Sequence, residues 1–131
     1  MSAEEHLNEA KRLYRKALEE FERAKKEKDS DILRDACGKG WLSTLEATYA
    51  LLTKKGVKEE ELPTGSDRGR RYMVNKYAEE ELRLYYFSLR DNFHIVGYYD
   101  GTIGFDEIER YLDDLNSYIR KVEELKTEGA S

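Results

Sequence analysis

Leu7, Ala10, Tyr14, Ala17, Phe21 and Ala24 recur at alternating three- and four-residue steps, with charges in the gaps. Only an α-helix lying against a core brings such residues onto one side. The stripe predicts one helix from about Ala3 to Lys28. It should stop at Asp29-Ser30-Asp31, whose side chains also offer N-caps to the next helix. The same spacing returns near the other end, where Ile108, Leu112, Leu115, Ile119 and Val122 form a seam over about Phe105 to Lys126. No segment between them carries the period-two alternation of a strand.

The second helix is predicted over about Asp31 to Lys55. Ile32, Leu33, Ala36, Cys37, Trp41, Leu45, Leu51 and Leu52 cover more than one face, so this helix should be central and the most buried. Gly38 and Gly40 inside it cost about 1 kcal/mol each relative to Ala. A neighbouring helix, a second subunit or a ligand should approach closely there. Gly56 ends the helix. Val57 to Gly65 reads as a loop that carries the only proline, Pro63, and a solvated Glu59-Glu60-Glu61 run. Ser66 or Asp67 caps a short third helix to about Asn75, and a fourth continues to about Val96. Whether these two are separate or one kinked helix stays open. Gly97 to Gly104 reads as a turn rich in glycine and aromatics. Four or five helices joined by short loops make an all-α, antiparallel up-and-down bundle, one domain over 1–131.

Composition narrows the function classes. Apolar and charged residues each make up 39%, enough for one core, with no apolar run near a membrane span. A net charge of −5 argues against coating nucleic acid through the overall field, though a local basic patch remains open. The one cysteine, Cys37, excludes an intramolecular disulfide and any Cys-based zinc site, and it reads as buried and structural. Two histidines argue against a His-based metal site. His6 sits on a first turn expected to fray and receives no role. The opening Met-Ser-Ala-Glu-Glu-His lacks a basic and apolar leader, which predicts a cytoplasmic protein. Glutamine is absent while Glu, Lys, Arg and Tyr abound, which points to a thermophilic prokaryote.

The stretch from Leu89 to Tyr99 carries the most chemistry. Arg90 and His94 stand four apart on one helix face, with Asp91 and Asn92 between them. A His beside an Arg can move a proton at a phosphodiester while the Arg holds the phosphate. On spacing alone the commoner arrangement is a helix-end His bonded to a carbonyl, with Arg90 paired to a surface carboxylate. Arg68, Arg70 and Arg71 at the start of the third helix offer an anion site, against a solvated first turn. Tyr98 and Tyr99, beside Gly97 and Gly101, offer stacking surfaces for a base, although tyrosine at helical spacing is more often core or interface.

An Arg-polar-polar-apolar-His stretch on a late helix of a bundle resembles the HEPN superfamily. Asp35-Ala36-Cys37-Gly38-Lys39-Gly40 and Val96-Gly97-Tyr98-Tyr99-Asp100-Gly101 resemble a small prokaryotic branch related to the archaeal PaREP type. The resemblance covers roughly Asp31 to Leu125. It implies an all-α bundle that dimerises. It also implies one of three roles: a metal-independent ribonuclease of toxin type, a binding protein that has lost the catalytic pair, or the partner of a nucleotidyltransferase. By position Arg90, Asp91 and His94 match the family's catalytic motif, with no cofactor and no metal. Three residues separate Arg90 from His94 where the family has four to six. A binding remnant for a nucleotide or RNA phosphate, catalytically weak or silent, fits that shortened motif better than a nuclease. Arg90 and His94 would contact phosphate, with Tyr98 or Tyr99 stacking.

Overall fold

A computed structural model describes residues 1–128; the last three of the expected domain lie outside the described residues. Helix α1 spans Ala3–Glu27 and α2 spans Ser30–Lys54. A 3-10 turn at Glu59–Glu61 precedes α3 (Asp67–Tyr77) and α4 (Glu80–Leu89). The chain then continues as a π-helical segment, Arg90–Asp100, before α5 (Phe105–Glu124). No strand occurs among the described residues, and no helix there is long and apolar enough to cross a membrane.

Cross-helix partners fix the topology. His6 meets Glu46, Ser43 donates to the Ala10 carbonyl and Lys39 pairs with Glu20, so α1 and α2 run antiparallel. Trp41 faces His94 while Arg34 reaches the Tyr98 and Tyr99 carbonyls, so the π segment runs antiparallel to α2. Glu81 pairs with Lys121 and Phe21 packs on Phe105, so α5 opposes both α4 and α1. The result is an up-and-down bundle with α3 as a short extra helix. Helix α2 touches every other helix, as its all-round apolar surface predicts.

Local chemistry sets the ends. Ser2 and Glu5 form a capping box on α1, so the first turn is fixed rather than frayed. Asp29 accepts from the Asp31 and Ile32 amides to start α2. Gly56, at φ +99°, lets the chain leave α2. Lys54 is buried and donates to the carbonyls of Val122, Glu123 and Leu125, which satisfies the C-terminus of α5. Helices α3 and α4 are separate, because Ala78 and Glu79 adopt extended backbone between them.

The largest difference from the sequence reading lies at residues 90–100. The expected turn from Gly97 begins only after Asp100, because the helix widens into π geometry and continues. Three glycines let this segment press on α2. A Cβ on Gly97 would stand 2.6 Å from the Cys37 sulfur. One on Gly40 would meet the Phe93 ring at 3.0 Å, and one on Gly38 the Tyr98 ring at 3.3 Å. The close approach anticipated at Gly38 and Gly40 is therefore made by rings of the same chain.

Candidate functional site

Where α2 and the π segment meet, a groove of about 370 Å³ opens between Asp35, Gly38, Lys39, Trp41, Leu42, His94 and Tyr98. Its floor is aromatic. The His94 ring stacks on Trp41 with centroids 4.9 Å apart and planes 16° from parallel. The Tyr99 ring stands edge-on to His94, also at 4.9 Å, and Tyr98 packs against Tyr99. Leu42 and Tyr98 are exposed at this opening. Lys39 is tied to Glu20 at 3.3 Å.

His94 Nδ1 is buried and has no hydrogen-bond partner among the described residues. Burial pushes the His94 pKa below its ordinary value, and the charge of Arg90 adds to the shift. The ring is thus neutral at pH 7. It carries one N–H and one lone pair, and Nδ1 is closed off from solvent.

Arg90 is engaged. Its Nε and Nη2 donate to the two Asp67 oxygens at 2.8 and 2.9 Å, and Nη1 reaches Asp91 at 3.2 Å. This fork-to-carboxylate pairing is the strong form of the interaction. Arg71 also donates to Asp67, at 3.1 Å. Hydrogen bonds from Arg90 and Arg71 hold the Asp67 pKa down at about 2 despite partial burial. Two clusters that lie apart in sequence, around residues 67–71 and 89–94, therefore meet through one carboxylate.

The three α3 arginines part ways. Arg70 is buried and donates to the Pro63 and Thr64 carbonyls, tying down the loop before α3. Arg71 shares Asp67, and Arg68 is exposed with no carboxylate partner among the described residues. The helix start itself is capped by Ser66, which accepts from the Gly69 amide. The structure brings His94 and Tyr98 to one groove, with Tyr99 packed against both, sets Arg90 and Asp91 in an ion-pair network, and leaves Arg68 and Arg71 on α3.

Sequence reasoning missed two features. Trp41 was read as core only, although a lone tryptophan next to Gly40 marks a place where rings gather. His6 is the larger omission: it is 3% exposed, with Nδ1 2.6 Å from Glu46 and Nε2 2.8 Å from Glu59. Each ring nitrogen therefore faces a carboxylate, a group that only accepts when ionised. Glu59 is exposed, as expected, and also reaches the buried His6, whose hydrogen bond is the chief cause of its lowered pKa. Cys37 is buried, and burial raises its thiol pKa to about 12, which leaves it unreactive. No group of His, Cys, Asp and Glu suited to a metal occurs among the described residues. No family model, curated protein or solved structure matches the chain.

Proposed function

We propose that this is a HEPN-like bundle protein that binds a nucleotide, base first, in the groove between α2 and the π segment, and is catalytically weak or silent. The observation that carries the reading is the Trp41–His94 stack at the floor of an open aromatic groove. A flat base extends such a stack, as aromatic platforms do for unpaired bases.

The state of the motif pair favours binding over cleavage. A phosphate-holding arginine needs free donors, and three nitrogens of Arg90 already face Asp67 and Asp91. A neutral His94 at pH 7 could accept a proton but could not act as the general acid. Neither a homodimer nor a nucleotidyltransferase partner is required by this reading; both stay as proposals implied by the family resemblance.

Trp41 is the only tryptophan, so its emission reports the groove directly. Titration with AMP, GMP, CMP and UMP should change that emission and saturate at a Kd of about 0.1–1 mM, the range for one stacked base. Labelled total RNA incubated without metal should stay intact. Unchanged emission up to 10 mM would defeat the groove reading. Cleavage by the wild type that His94→Ala abolishes would instead make the chain a metal-independent ribonuclease.

A further inference from the structure

The exposed residues of α3 are Arg68, Arg71, Tyr72, Asn75 and Lys76. They follow the steps i, i+3, i+4, i+7 and i+8, so they form one continuous outer face. Val74 and Arg70 occupy the opposite, buried face. The outer face carries three cations, one aromatic ring and one amide, and no acid. That is unusual in a chain with 28 acids and 23 bases.

Three neighbouring acids are already occupied. Asp67, at the helix start, is bound by Arg90 and Arg71. Past the helix end, Glu79 pairs with Lys55 and Glu81 with Lys121. Arg68 and Lys76 have no carboxylate partner among the described residues. Tyr72 is 62% exposed, with the Lys76 ammonium 5.9 Å from its ring centroid. Nothing within the described chain covers this ring.

We infer that the outer face of α3 is a docking surface for single-stranded nucleic acid. Arg68, Arg71 and Lys76 would meet successive phosphates, Tyr72 would stack an unpaired base, and Asn75 would bond to a base edge or sugar. The charge of the face is complementary to a polyanion while the rest of the molecule repels one, so binding is local and strongly salt-dependent. An acidic peptide satisfies the cations but leaves Tyr72 and Asn75 without partners. Unpaired bases use all five side chains. No residue of this face lines the α2–π groove, so this inference stands apart from the nucleotide reading above.

The test is fluorescence anisotropy of labelled 12-nucleotide oligouridine and oligothymidine across a salt series, with unlabelled polyglutamate as competitor. Three phosphate contacts predict a slope of about −2 in log affinity against log salt. The pair Arg68→Glu and Lys76→Glu should weaken binding more than tenfold and bring the slope to about −0.7. Tyr72→Ala should weaken binding about tenfold and leave the slope unchanged. The same charge reversal on exposed α1, Arg15→Glu with Lys16→Glu, should change affinity no more than about twofold, since screening confines the effect. Binding in either arm supports the proposal, and the stronger arm identifies RNA or DNA. Three results would overturn it: no binding by the wild type, equal binding by the α3 and α1 reversals, or displacement by polyglutamate together with an unaffected Tyr72→Ala. All variants lie on exposed positions, and an unchanged Tm shows that each is folded.

Discussion

The two histidines of this chain sit in opposite environments. His6 is enclosed and has a carboxylate on each ring nitrogen. His94 lies on a groove wall, stacked on Trp41, with its Nδ1 unpartnered. The first is a ring whose two nitrogens are both partnered, joining α1, α2 and the 3-10 turn. The second is a neutral ring whose surroundings are incomplete. Buried polar atoms in folded proteins are nearly always paired, so an exception points to a ligand, a water or a functional role. Of the two, His94, whose half-buried ring lines the groove, is the one that a ligand can reach.

The difference is breakable, and the largest effect belongs to His6. His6→Ala leaves the partly buried Glu46 without its donor, while Glu59 keeps the Met1 amine. It should cost about 3 kcal/mol and lower the Tm by roughly 10 °C in a calorimetric scan, with nucleotide binding intact. A Tm within 2 °C of wild type would show that the two carboxylate contacts contribute little.

Gly97→Ala strikes the His94 side. The new methyl would lie 2.6 Å from the Cys37 sulfur and 2.9 Å from the Asn92 carbonyl oxygen, so the π segment must shift. The expected cost is about 2 kcal/mol by urea unfolding, with loss of groove binding. Adding Cys37→Ala should recover part of the stability, because the two positions touch.

Asp67→Ala removes the carboxylate shared by Arg90 and Arg71 and should cost about 1 kcal/mol, since the pair is partly solvated. The Asp67 pKa is depressed from 3.8 to about 2, so its contribution is present above pH 3.8 and is lost as the pH falls through about 2. Acid unfolding of the variant should lack that component.

His94→Phe has the smallest effect on stability and the most informative sign. Phenylalanine keeps a stack on Trp41 and removes the orphan nitrogen, so stability at pH 7 should rise by about 0.5 kcal/mol. The His94 pKa lies below 6.5 in the folded chain. Its stability is therefore whole above pH 6.5 and declines as the pH falls through the folded value. His94→Phe should flatten that decline while weakening nucleotide binding.

What the sequence made legible follows from how far apart the partners lie. Helices α1, α2 and α5 are set by local periodicity, and their predicted ends agree with the structure within about two residues. His94, Tyr98 and Tyr99 were picked out because they crowd one short stretch beside glycines. Trp41 was not joined to them, because its contact with His94 crosses from α2 to the π segment. The His6 partners lie 40 and 53 residues away, beyond any spacing rule. The π geometry depends on Gly97 meeting Cys37, and single-helix periodicity carries no trace of that contact.

The most direct test records long-range proton–nitrogen spectra of the two imidazoles at pH 7 while AMP is added. The expected spectrum has His6 unmoved by AMP, and His94 neutral with shifts that move to saturation. A His94 signal that stays fixed at several millimolar AMP, or that resonates as an imidazolium at pH 7, would contradict the account.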